Sequence, residues 1–292
     1  MVQSTGDKVK KLIYKQTRKV IYFCEAGNIS VNTSVHEIRK SIKRIRAWLA
    51  FFSYFPEDLP IEKAMIEIGE ISRILTEARE SYVNNSLFDK YFSNKQFLPE
   101  RKVKQITDLL SEENQRQIRF LINENNYLEK IKSTILTLEQ TVKEFNGNIS
   151  TEIVRKELVA TYSGCFDLYL QNQESLTPEN LHKIRIRLNQ LWHQFEAARP
   201  VQPKYFGAKT RQLNEITDTL GADHDNYVLS LCVGETHFRL LRKDERVTFE
   251  NLIQHQHELM LSGIKIKLKQ IFTEQPEDFQ IRMSGYFSKT GT

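Results

Sequence analysis

A chain of 292 residues with 42 basic and 37 acidic side chains carries a formal net charge of only +5, too small an excess to identify a polyanion binder unless it is unevenly placed. Hydrophobic residues at 40% and aromatics at 10% supply a substantial core and argue against intrinsic disorder. The 11 glycines and 7 prolines are too few for a large β-sandwich or a collagenous chain, so the composition leans all-α, in one large domain or two of ordinary size.

The longest apolar run near the N-terminus, Val20 to Cys24, is far short of a signal-peptide core or a membrane span, so a soluble cytoplasmic protein with no membrane partner is expected. A first helix is predicted from about Lys8 to Glu25, stopped by Gly27. Ser34 with Glu37 three residues later has the capping-box pattern for a second, which runs to about Phe55 and is ended by Pro56. After Pro60 a third helix passes through Ile66, Ile71 and Leu75 to about Phe92, and Pro99 separates it from a fourth. Asn146-Gly147-Asn148 interrupts the helical pattern. Further helices are predicted over Ile149–Gln173, from Thr177-Pro178 to a close at Pro200 and Pro203, over Tyr205–Cys232, and around Leu252–Phe272. No segment sustains period-two alternation, which makes the expected fold all-α. Cys24, Cys165 and Cys232 are widely separated within helical pattern and read as buried, reduced core residues. No CxxC or Cys/His spacing suggests a metal site, and no cofactor is expected.

The chain is self-similar at half its length. His36-Glu-Ile-Arg39-Lys-Ser-Ile-Lys43-Arg44-Ile aligns with His182-Lys-Ile-Arg185-Ile-Arg-Leu-Asn189-Gln190-Leu, and Leu75-Thr76 through Arg79-Glu80 to Val83 aligns with Leu220-Gly221 through His224-Asp225 to Val228, at offsets of about 145 residues. Two matches at nearly one offset point to a duplicated unit, residues 1–146 and 147–292, each of four or five helices.

Counted by unit, the charge is uneven. Residues 1–146 hold 24 basic and 19 acidic side chains, residues 147–292 hold 18 of each, and Lys8 to Arg46 contains 11 basic residues against only Glu25 and Glu37. At 100° per residue His36, Arg39, Lys40, Lys43 and Arg46 share an arc of about 120°, with Ile38, Ile42, Ile45, Leu49 and Phe52 opposite. In the preceding helix Lys8, Lys11, Lys15 and Arg18 repeat the spacing, joined by Lys19 and Tyr22, while Val9, Ile13 and Val20 are apolar and face elsewhere. A single cationic stripe is most often a solvated face, but such faces mix Glu with Lys. Like charges three and four apart repel, so two adjacent stripes nearly free of acids point to an anion site.

Neither a GxxxxGK nor a GxGxxG loop is present, so side chains rather than backbone amides supply the contacts. A ten-residue stripe rises about 15 Å, which suits an extended chain of phosphates better than one phosphate. A histidine among cations is neutral when the site is empty and gains a proton when anions enter, so binding is expected to be tighter near pH 6 than pH 8.

The His-x-x-Arg helix followed some forty residues later by a Leu-Gly-x-x-Arg/His-Asp-x-x-Val segment, both occurring twice, resembles the conserved histidine α-helical domain (CHAD) family. The ending Phe272-Thr-Glu-Gln-Pro276-Glu-Asp-Phe279 is similar to that family too. The resemblance implies two four-helix bundles related by a pseudo-twofold axis, with a basic pore or groove that binds inorganic polyphosphate. Its ligand-facing residues would be Lys11, Lys15, Arg18, His36, Arg39, Lys43, Arg46, His182 and Arg185; Lys8, Lys19, Lys40, Arg79 and Asn189 lie in the same stripes and motifs. The second unit departs from the pattern at Asn189 and Gln190 and the first at Thr76 and Glu80, which leaves the first unit to carry most of the affinity. Members of this family are often fused to a triphosphate-tunnel domain with ExExK strands, and this chain has none.

Two other functions compete. His224-Asp225 invites comparison with metal-dependent HD phosphohydrolases, for which His182 or His193 could serve as further ligands, yet the first-unit counterpart is Arg79-Glu80 and arginine cannot ligate a metal. Basic helices also serve nucleic acids, but stacking needs exposed aromatics and the stripes offer only Tyr22. Trp48, Phe51, Phe52, Tyr54 and Phe55 have core spacing, so no specific nucleic-acid partner is expected. No activated serine, Cys/His pair or paired carboxylate motif suggests an enzyme. His237, His255 and His257 read as surface or helix-face residues.

Overall fold

The structure, a computed structural model, describes residues 5–55, 59–92, 98–124, 126–233 and 240–288. Among them ten α-helices follow one another without a strand: α1 (Thr5–Glu25), α2 (Val31–Leu49), α3 (Leu59–Phe92), α4 (Glu100–Arg119), α5 (Tyr127–Glu144), α6 (Thr151–Asn172), α7 (Pro178–Ala198), α8 (Pro203–Cys232), α9 (Lys243–Ile271) and α10 (Pro276–Phe287). The fold is all-α. No helix among the described residues is long and apolar enough to cross a membrane. Pro56, expected to end the second helix, and His237 lie outside the described residues.

Local signals explain most of the boundaries. Thr177 caps α7 by accepting from the Asn180 amide, with Pro178 in the first helical position, where a missing N–H costs nothing. Ser150 caps α6 in the same way through Ile153. For α2 the cap is Ser30, which accepts from the Thr33 amide. Ser34, expected in that role, is a buried residue of the first turn, because the chain already enters helix at Val31 and Glu37 is drawn to Lys19 instead. The α-helix also stops at Leu49 and tightens into a 3₁₀ turn over Ala50–Phe52, short of Phe55. Pro203, read as closing the seventh helix, opens α8. The fourth helix is followed by a π-type turn, Phe120–Glu124, and left-handed Asn126 (φ 48°) before α5 begins.

The core has two parts. The larger includes every predicted apolar residue of the two basic helices, with Ile13, Val20, Ile38, Ile42, Ile45, Leu49 and Phe52 fully enclosed. The smaller joins Phe88, Phe92, Ile106 and Leu110 of α3 and α4 to Leu229, Phe249 and Ile253 of α8 and α9. Tyr91 donates to Asn226 beside it (2.8 Å). Helices pack α1 on α2, α2 on α3, α3 on α4 and α5 on α1. They likewise pack α6 on α7, α7 on α8, α8 on α9 and α10 on α6, while α2 also meets α7 and α3 also meets α8.

Of the three cysteines only Cys165 is buried; Cys24 and Cys232 are half-buried. Burial pushes the Cys24 and Cys165 thiols up to about 12, so neither is a nucleophile near neutrality. His257 takes the helix-face place on α9, half-buried, with its Nδ1 2.7 Å from the buried carboxylate of Asp223.

Candidate functional site

The four-way contact of α2, α3, α7 and α8 gathers charge. From α2, the Arg39 guanidinium donates to the Ser72 carbonyl (2.9 Å) and the Thr76 hydroxyl (2.7 Å) of α3. One turn further along α2, Lys43 feels the positive charges of Arg185 and Arg39, and burial together with these pushes its ammonium down to about 8. No hydrogen bond or ion pair forms to that ammonium among the described residues. From α7, Arg185 lies over Gly221 of α8, where an added Cβ would stand 2.8 Å from Nη2. Arg79 of α3 completes four cations around Glu80 and Asp225, with Asp218 also drawing on Arg185, and burial raises the pKa of Glu80 and Asp225 against the pull of the cations.

Arg39 and Arg185 are equivalent in the internal alignment, and so are Thr76 and Gly221. The departure at Thr76 thereby acquires a physical role: its hydroxyl occupies one fork of Arg39, while glycine leaves the space above α8 to Arg185. The Nε of Arg185 is buried and has no partner among the described residues. Three histidines flank the cations. The rings of His182 and His224 stack at a centroid separation of 4.0 Å, and the Nδ1 of each is buried without a partner among the described residues. Burial and the neighbouring cations lower the pKa of His36 and His182 and push His224 down to about 3. All three are therefore neutral in the empty site at pH 7.

Among the sequence-derived candidates the fold thus brings His36, Arg39, Lys43, Arg79, His182 and Arg185 together. Lys40 and Lys19 converge on Glu37, with Lys40 at 3.2 Å, and His36 lies 3.8 Å from the same carboxylate. Lys15 and Lys19 line a separate groove of about 730 Å³ with Arg44 and Arg211. Lys8, Lys11, Arg18 and Arg46 are exposed. Asn189 donates its amide to the Arg185 carbonyl (2.9 Å). Tyr22 is exposed and Trp48, Phe51 and Phe52 are core, but Tyr54, expected in the core with them, is exposed at the turn after α2, and Phe55 is half-buried. Sequence reasoning had passed over His224, Asp225 and Glu80 as partners of the cluster, although their place in the repeated motif marked them. Among the described residues no three His, Cys, Asp or Glu side chains come together as a metal-ligating group. His224 faces His182, Arg185 and Lys43, two of them cations that repel a metal ion.

At this junction four half-buried cations outnumber the carboxylates that face them. Comparison with known proteins agrees on the type of domain. The family model described as "CHAD domain" matches residues 11–233. Among solved structures the chain is similar to PptA from Streptomyces chartreusis, with a TM-score of 0.69 at 12% identity over 93% of this chain and 100% of that one. It is also similar to the CHAD domain from the plant Ricinus communis, with a TM-score of 0.62 at 14% identity over 91% of each chain. At these identities the likeness is one of fold. Against curated proteins the chain finds no match.

Proposed function

The chain belongs to the CHAD domain family, and from that premise we propose that it binds inorganic polyphosphate, without catalysis, at the junction of α2, α3, α7 and α8. One observation carries the reading: four half-buried cations face Glu80, Asp225 and Asp218, and among the described residues neither the Lys43 ammonium nor the buried Arg185 Nε has a hydrogen-bond partner. Withdrawing under-neutralised charge even partly from water is costly, and a ligand of opposite sign would offset that cost. A chain of phosphates offers both the charge and the length of the stripes. In this reading the protein is no enzyme, needs no cofactor, and acts in the cytoplasm, where it would follow polyphosphate granules.

We read the chain as a duplication, 1–146 and 147–292, with a twofold relation between the halves. The crossing of α2 and α7 supports this. Trp48 Nε1 donates to the His193 carbonyl (2.7 Å) and Gln194 Nε2 to the Ala47 carbonyl (3.5 Å). Trp48 is the counterpart of Gln194 and Ala47 of His193, so the two bonds are reciprocal, as at an isologous interface.

A titration with long-chain polyphosphate tests the function. Replacing Arg39 and Lys43 together by Ala is expected to weaken binding at least tenfold, and replacing Lys267 and Lys269 of α9 to change it little. Equal effects would mean that bulk charge, not the junction, binds. Excess single-stranded RNA at equal phosphate concentration should not displace the ligand; displacement would favour nucleic acid as the partner.

Gly221→Ala separates site from scaffold. Alanine favours mid-helix positions by about 1 kcal/mol over glycine, and the new Cβ meets only the end of a flexible arginine, so stability in urea should hold or rise. That same Cβ displaces the Arg185 guanidinium, and affinity should fall several-fold. Unchanged affinity would place Arg185 outside the contact.

A further inference from the structure

α7 and α8 form an antiparallel hairpin in which a second arginine lies over a second glycine. Arg199, the residue that ends α7, has its guanidinium beside Gly207, where an added Cβ would be 3.8 Å from Nε. Gly207 and Gly221 are 14 residues apart in α8, as are Arg185 and Arg199. Fourteen residues span about 21 Å and close to a whole number of turns, so both seats open on one side of the seam. Gly207 is buried, as is Gly221. Arg199 has no counterpart in the first half, where Ser53 stands at the matching position.

Arg199 does not stand alone. It lines the groove of about 730 Å³ with Lys15 and Lys19 of α1, Arg44 of α2 and Arg211 of α8, five cations against Glu196 and Glu215. Glu196 is engaged by His193 (2.9 Å) and lies 3.6 Å from Arg44, and Lys19 is paired with Glu37, which leaves Lys15, Arg199 and Arg211 against Glu215. Two paths join the groove to the junction. Along α2, Arg44 of the groove follows Lys43 of the junction in sequence. Along α8, Asn214 of the groove donates to Asp218 (3.1 Å), and Asp218 attracts Arg185.

We infer that the groove around Arg199 and Arg211 is a second anion station, and that one linear polyphosphate chain runs along the α7–α8 seam from the Arg185 seat to the Arg199 seat. The inference rests on the function proposed above and adds a ruler to it. A chain too short to span about 21 Å occupies only the junction, and longer chains gain the groove contacts as an intramolecular second binding event.

The test compares tripolyphosphate with long-chain polyphosphate on the full chain, wild type against Arg199→Ser/Arg211→Ser, with circular dichroism to verify folding. Both substituted side chains are exposed. The double variant should lose about tenfold in affinity for long chains and keep wild-type affinity for tripolyphosphate. Arg39→Ala/Lys43→Ala should lose both. Loss of tripolyphosphate binding in the groove variant, or full retention of long-chain binding, overturns the second station while leaving the junction intact. A wild type that binds neither chain removes the proposed function and this inference with it.

Discussion

Lys43→Met is expected to make the protein more stable and less able to bind. In the folded state the Lys43 ammonium is pushed down to about 8 from an unperturbed 10.5, by burial and by Arg185 and Arg39. That difference corresponds to roughly 3 kcal/mol of destabilisation at pH 7, where both folded and unfolded states carry the proton and the folded state bears the full electrostatic cost. As pH rises from about 8 to about 10.5 the native lysine deprotonates before the unfolded one, so the unfolded state binds more protons and wild-type stability rises through this window. The variant lacks the group and shows no such rise. Urea unfolding at pH 7 and pH 10.5 should therefore give a variant ahead by up to about 3 kcal/mol at the lower pH and nearly level at the higher. A variant less stable at pH 7, or a difference that ignores pH, would mean that a partner neutralises Lys43. Loss of one charge-assisted contact should meanwhile weaken polyphosphate binding by ten- to a hundredfold, about 1.5–3 kcal/mol. The histidines act at the other end of the scale. His36 and His182 are held below their ordinary range, so an arriving anion raises their pKa and draws in protons, and affinity climbs as pH falls below neutrality.

Salt should have the other large effect. If Arg39, Lys43, Arg79, Arg185 and one histidine each contact a phosphate, treatment of the ligand as a single-stranded polyanion gives a slope of log K against log salt of about −3.5. Raising salt from 50 to 200 mM then lowers affinity about a hundredfold. A slope shallower than about −1 would show that the cations of the junction do not meet the ligand. The double variant at Arg39 and Lys43 should flatten the slope by about two contacts' worth, whereas a change confined to the scaffold leaves it unaltered.

Much of the architecture was legible because apolar periodicity and punctuation agree. The isoleucines of α2 alternate with charge at helical spacing, and Thr177-Pro178 announces α7. α4 is poorly defined by its pattern because its buried set is only Ile106, Leu110 and Asn114. The cap of α2 was misplaced because Ser30 and Ser34 both suit the position, and the pattern does not reveal which end of that turn faces the core.

The site was legible in its residues but not in its geometry. A helical arc treats α2 as solitary, so Arg39, Lys40, Lys43 and Arg46 look alike. Only the arrival of α3, α7 and α8 encloses Arg39 and Lys43 while Lys40 and Arg46 stay in solvent. Arg44 belonged to no stripe, and Arg199 and Arg211 sit in the half whose net charge is zero, where counting gave no reason to look.

On the proposed duplication, the reciprocal bonds from Trp48 to the His193 carbonyl and from Gln194 to the Ala47 carbonyl have an evolutionary consequence. Two separate copies of one unit, meeting as a homodimer, would receive every substitution twice. A lysine near the axis would then confront its own image, and two ammonium groups 5 Å apart repel by roughly 3 kcal/mol at an effective dielectric of 20. Joining the copies in one chain lifts that compulsion. Lys43 is answered by Asn189, whose amide folds back onto its own helix at 2.9 Å, and Arg44 by Gln190. In that reading fusion lets the charge be graded from one half to the other, an asymmetry that no identical pair could express.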